Sequence, residues 1–213
     1  MGLLDKLRWS RKTTDISATD MVVFIVGPSG SGKSRFMDIL LQNANVHAVR
    51  ANKGQRPGTT EVYAERCRFE GMQSDIVLVD TPSFHTYEDP DGEETLKKWM
   101  DSKCTKCKRA GMLYTHNIAS NPHDGNLVIS RHLEAFRRTL PRNLTINTVH
   151  VVPTVAFGAR LPAETIDALV TRLQGQADGV GAKMSKTPFD GKPETAWDVV
   201  QELLSRCGLL IGR

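Results

Sequence analysis

Gly27-Pro28-Ser29-Gly30-Ser31-Gly32-Lys33-Ser34 satisfies the spacing Gly-x-x-x-x-Gly-Lys-Ser/Thr in full. Glycines at these places let backbone amides turn inward and approach anionic oxygens closely. The lysine can then reach the β- and γ-phosphates of a bound nucleotide, and the serine hydroxyl suits Mg2+. The stretch follows an uncharged apolar run at 21–27 and precedes 33–43, where Phe36, Ile39 and Leu40 fall at helical spacing. A strand, a glycine turn and a helix form the setting in which such a loop grips phosphate, because the helix N-terminus adds favourable partial charge. The expected nucleotide contacts are Gly27, Ser29, Gly30, Ser31, Gly32, Lys33, Ser34 and Arg35. The loop alone selects neither the base nor the reaction.

Two further groups belong to the same chemistry. Asp80 ends the apolar strand DIVLVD and is followed by Thr81-Pro82-Ser83. An aspartate there can hold Mg2+ through water, and the backbone after it can sense a γ-phosphate. Between the two lies Arg56-Pro57-Gly58-Thr59-Thr60-Glu61, just before a strand. A threonine in that loop can reach Mg2+ and the γ-phosphate; Thr60 is the expected one, with Thr59 beside it. Ser34, Thr60 and Asp80 are thus the expected metal set.

The elements that must position these residues alternate along the chain. Strands are expected at 21–27, 62–69, 75–81, 111–118 and 148–155, with a short one near 180–185. Helices are expected at 33–43, 93–108, 128–139, 162–174 and 194–206. The strand at 62–69 alternates in character as an edge strand does; the others are apolar throughout, like central ones. This predicts one α/β domain, doubly wound around a mostly parallel sheet. The division is an arm at 1–20 and a nucleotide-binding domain at 21–213.

Phosphate loop, threonine loop, antiparallel strand pair and Asp-Thr-Pro, in this order, resemble a small GTP-binding (G) domain of the translation-factor-like class. The likeness is to the Era-like and septin/immune-associated branch, fungal G-domain proteins above all, and runs from about 21 to 205. It includes GMLYTHNIAS and FDGKPETAWDVV. It implies a three-layer P-loop NTPase fold: a mostly parallel central sheet with one antiparallel edge strand and helices on both faces. It also implies Mg2+ and GTP/GDP as ligands and a nucleotide switch with slow GTP hydrolysis.

The chain departs from the family pattern at three places. Ser83 stands where the switch motif Asp-x-x-Gly has its glycine. The segment VVPTVAFGA offers Thr154 but no aspartate for the Asn/Thr-Lys-x-Asp guanine motif, and Asp167 falls inside the next helix. Base selection is then left to Thr154, backbone groups and stacking on Phe157, with GTP preferred over ATP. Phe84 occupies the slot where Ras-like enzymes carry the water-orienting glutamine. His85, next along, can orient or deprotonate a water if its loop swings inward. Lys33, Thr60 and His85 make the expected catalytic set. Arg50, Arg56 and Arg66 are candidate arginine fingers. Two other readings stay open: a nucleotide-binding scaffold with negligible hydrolysis, and a small guanylate-type kinase or ATPase.

The bulk numbers fit one globular domain: 213 residues, 39% hydrophobic, 24% charged, net charge +4. No basic stripe interleaved with aromatics appears, so nucleic acid is not an expected partner. No apolar run reaches the ~18 residues of a membrane span, and no secretory signal pattern is present. A cytoplasmic protein is expected. Leu3, Leu4, Leu7 and Trp9 among Lys6, Arg8, Arg11 and Lys12 allow an amphipathic helix at 1–12 that touches a membrane or a partner. A homodimer across the nucleotide face, or a protein effector, is the other expected partner. Cys104 and Cys107 lack a second ligand pair and read as surface cysteines of a helix. His116, His123, His132 and His150 are scattered, and Trp99 and Trp197 read as core.

Overall fold

The computed structural model describes residues 7–10, 16–42, 61–69, 74–83, 91–120, 124, 127–155, 161–186 and 188–209, with 7–10 and 68–69 as backbone only. In chain order the elements are β1 (Leu7–Ser10), β2 (Met21–Val26), α1 (Lys33–Gln42), β3 (Tyr63–Phe69), β4 (Ile76–Asp80) and α2 (Gly92–Lys103). There follow β5 (Arg109–Asn117), α3 (Ile129–Thr139), β6 (Thr145–Thr154), α4 (Ala163–Gly179), β7 (Lys183–Met184) and α5 (Pro193–Arg206).

The strands form one seven-stranded sheet in the order β1-β3-β4-β2-β5-β6-β7. β2 lies parallel to β4 and β5 on its two sides, and all six of its residues are buried. Such a strand must be apolar on both faces, which is why it reads as a continuous run. Along it Met21, Val23 and Ile25 pack with Phe36, Met37 and Leu40 of α1 and Trp197, Val200 and Leu203 of α5. Val22, Phe24 and Val26 point the other way, toward Leu96 and Met100 of α2, Leu133 and Phe136 of α3 and Leu173 of α4. The two-residue alternation of a strand thus divides the core into two layers, one per sheet face. The Phe24 and Phe136 rings meet edge-on with centroids 5.1 Å apart. Trp197 is buried, while Trp99 packs partly buried at the core's margin.

Among the described strands, only β3 runs against the others. It is not the sheet's edge. β1 pairs with it on the outside, antiparallel, from Leu7 opposite Phe69 to Ser10 opposite Arg66. The amphipathic helix expected at 1–12 is therefore corrected to a strand over residues 7–10.

Two other expectations change. The helix expected to reach 108 stops at Lys103, and Cys104 and Cys107 lie buried in the turn to β5 rather than on a helix surface. Asn143 Nδ2 donates to the carbonyls of Cys104, Thr105 and Cys107 and so fixes that turn. Burial pushes the Cys104 thiol up to about 12 and raises Cys107 as well, which keeps both thiols protonated and poorly reactive.

Arg66 is also misplaced for a catalytic finger. Its guanidinium pairs with Asp20 at 2.9 Å and Asp75 at 3.1 Å, the residues just before β2 and β4. The phosphate loop sits at the other end of β2, on the order of 20 Å away by strand rise. Arg66→Met is expected to lose about 2 kcal/mol of stability, since two largely buried carboxylates are left facing each other. Nucleotide affinity and turnover should not change; denaturant melts and a turnover assay check both. Among the described residues, no helix is long and apolar enough to cross a membrane.

Candidate nucleotide-binding site

Chain direction sets the site's position. β4, β2, β5 and β6, the central parallel strands, end on the same side of the sheet, and the loop after β2 lies over β4 and β5 at that edge. Gly30 at φ 72° and Gly32 at φ 91° take the left-handed backbone that turns the loop into α1. Phe36 N–H bonds back to Gly32 O at 2.8 Å, so the helix begins directly on the loop.

Six side-chain bonds hold the loop. Lys33 is 5% exposed and donates to Gly27 O at 2.9 Å, Pro28 O at 3.1 Å and Ser83 Oγ at 2.8 Å. The Ser34 hydroxyl donates to Asp80 Oδ2 at 2.8 Å. Ser31 Oγ and Thr115 Oγ1 are 2.8 Å apart, tying the loop's floor to the end of β5. Thr154, at the end of β6, donates from Oγ1 to Ser31 O at 2.7 Å. Thr81 anchors the strand end below by donating its N–H and hydroxyl to Ile25 O.

The structure thus brings together Gly27, Ser29, Gly30, Ser31, Gly32, Lys33, Ser34, Asp80 and Thr154. Ser29 and Gly30 form the loop's accessible rim, whereas Ser31, Lys33, Asp80 and Thr154 are buried beneath it. The Arg35 guanidinium lies against Gly191, where an added Cβ would come 2.5 Å from Nη2. What Arg35 can offer a phosphate is therefore its backbone amide. Asp167 stands on α4, exposed, with its backbone carbonyl accepting the Thr171 hydroxyl. Thr60, His85 and Phe157 lie outside the described residues, as do Thr59, Phe84, Arg50 and Arg56.

Two residues of the site were missed as participants. Thr115 reaches the loop from a strand 84 residues away, and its only sequence signal is a hydroxyl at the end of an apolar run. Ser83 was visible as a departure from a motif, but not as a partner of Lys33. His116, next to Thr115, faces the opposite side of the sheet, toward a small cavity lined also by Leu169, Arg172 and Gln176. Burial, with Arg172 nearby, lowers it to about 4 and keeps the imidazole neutral.

A family model described as "50S ribosome-binding GTPase" matches residues 22–147, more than half of the chain, and takes in the whole loop, Asp80 and Thr115. The chain belongs to this GTPase family. Its described residues form a P-loop G domain of the translation-factor and Era-like class. Similar solved structures share the fold. The bacterial selenocysteine-specific elongation factor EF-Sec superposes with a TM-score of 0.58 at 12% identity, over 89% of this chain and 29% of that one. Aquifex aeolicus Era bound to GDP and AlF4- superposes with a TM-score of 0.54 at 15% identity, over 91% of this chain and 58% of that one. The G domain thus spans less than two thirds of either protein. No curated protein matches its sequence.

Ser34 and Asp80 fit a hard divalent cation, since a hydroxyl and a carboxylate oxygen converge beside the loop, and oxygen donors are what Mg2+ takes.

Proposed function

We propose that this G domain is a Mg2+-dependent GTP-binding protein with slow hydrolysis that works as a nucleotide switch. The observation that carries the reading is the preformed loop, with Lys33 buried at its centre and Ser34 bonded to Asp80. Gly27, Ser29 to Ser34 and the Arg35 amide would bind the phosphates. Ser34, Thr60 and Asp80 would hold the metal, which when bound offsets charge on the β- and γ-oxygens. Thr154 braces the loop on the base side, and Phe157 would stack on the base.

Hydrolysis is expected to be slow because Phe84 can neither donate nor accept a hydrogen bond to the attacking water; His85 is the residue assigned to orient it. A protein effector or a second copy across the nucleotide face would raise the rate. We assign the nucleotide-binding domain to residues 21–213, with β1 of the preceding arm adding an outer strand to its sheet, and the protein to the cytoplasm, with the arm at 1–12 as the segment that would contact a membrane. A second reading, a scaffold that keeps nucleotide unhydrolysed, is favoured by the bond between Lys33 and Ser83.

Single-turnover phosphate release from labelled GTP with Mg2+ separates the two. A rate on the order of 10⁻³ per second or below, yet above a no-protein control, supports the switch; no release over hours supports the scaffold. In Asp80→Asn, GTP affinity in Mg2+ is expected to fall at least about tenfold, to its value in chelator, because a neutral amide is a poor Mg2+ ligand. An unchanged Mg2+ effect would remove Asp80 from the metal set.

A further inference from the structure

We propose that the Ser83 hydroxyl occupies Lys33 in place of a γ-phosphate oxygen and so reduces the protein's preference for triphosphate over diphosphate. The inference rests on the guanine-nucleotide reading and adds a regulator to that site.

An ammonium group has three N–H donors. On Lys33 each has an acceptor: Gly27 O, Pro28 O and Ser83 Oγ. The two carbonyls belong to the phosphate loop itself, which Ser31–Thr115 and Thr154–Ser31 hold in place. The Ser83 hydroxyl is different in kind. It is a side-chain atom that can leave by a single χ1 rotation. The Ser83 hydroxyl is therefore the partner that a γ-phosphate oxygen can displace.

One phosphate oxygen and two need different amounts of that rearrangement. A diphosphate presents its β-oxygens alone to Lys33, and the loop can give up one long contact, such as Pro28 O at 3.1 Å, while Ser83 stays. A triphosphate presents β- and γ-oxygens together, and the Ser83 bond must then break. The penalty falls mainly on the triphosphate. Ser83 is 1% exposed and only three residues beyond Asp80, so the same bond already pins the Asp80–Ser83 segment to the loop. In a switch that docks this segment only on γ-phosphate, docking would report the triphosphate. Here the hydroxyl docks it beforehand.

The test is the ratio of dissociation constants for GDP and a non-hydrolysable GTP analogue, in Mg2+, for the wild type, Ser83→Ala and Ser83→Gly. Ser83→Ala removes only the hydroxyl, and a ratio is insensitive to a general loss of stability. The ratio is expected to shift toward the triphosphate about tenfold in both variants, the size of one hydrogen bond to a charged group. An equal change in both affinities, or a shift toward GDP, would overturn the inference and leave guanine-nucleotide binding standing. Failure of the wild type to bind either nucleotide would overturn both.

Discussion

Lys33→Ala should weaken GTP and GDP binding at least about a hundredfold and abolish phosphate release. The reasoning starts from the side chain's place. Lys33 is buried under the loop, with its ammonium 2.9 Å from Gly27 O and 2.8 Å from Ser83 Oγ. It therefore enters any phosphate complex already aligned, with little rotamer freedom left to lose. A hydrogen bond between charged partners contributes roughly 1.5–3 kcal/mol, and two of them to phosphate oxygens give about 3 kcal/mol or more, hence the hundredfold. Lys33→Arg should not rescue binding, because a planar fork cannot replace a point charge enclosed by three acceptors. Calorimetric titration of nucleotide-stripped protein measures both effects. Wild-type affinity in Lys33→Ala would place the phosphates elsewhere.

Gly27→Ala is expected to be the most damaging small substitution in the loop. A Cβ at Gly27 would lie 2.3 Å from the backbone carbonyl of Thr115, 2.7 Å from Ser31 Oγ and 2.8 Å from Thr115 Oγ1. The carbonyl cannot give way, because β5 is paired on both sides, by β2 and β6. The loop must instead lift, which breaks the bond between Ser31 and Thr115. Overpacking of this kind destabilises by about 3 kcal/mol, a loss of roughly 10 °C in melting temperature for a chain of this size. Nucleotide affinity should fall with it. Gly30→Ala is the control: its Cβ would meet nothing within 4 Å, and only its φ of +72° resists the change. That variant should lose about 1 kcal/mol and keep most of its affinity. Equal melting temperatures for the two variants would contradict the close approach of loop and β5.

The contrast between these glycines shows what was legible in the sequence. The phosphate loop was, because its chemistry demands fixed residue types at fixed local spacing, and the strand and helix flanking it carry opposite hydrophobic periods. Asp80 was legible for the same reason, as the charged end of an apolar run. The bracing of the loop was not. Thr115 and Thr154 act on Ser31 from strands distant in the chain, and nothing in their neighbours marks a hydroxyl that will face a loop. Arg66 reads in the sequence as a candidate arginine finger, because the convergence of Asp20 and Asp75 on it is visible only in the fold. β1 was hidden because a strand four residues long at an edge is specified by its partner rather than by its own pattern. The basic turn after α2 read as helix because the three carbonyl bonds of Asn143 that stop it come from the far side of α3.

The most direct measurement is an equilibrium titration of nucleotide-stripped protein with GTP, GDP and ATP in Mg2+. Both guanine nucleotides should bind in the micromolar range or tighter and ATP more weakly, with all binding lost in Lys33→Ala. If no purine nucleotide bound at millimolar concentration, the loop around Lys33 would not be the phosphate cradle described here.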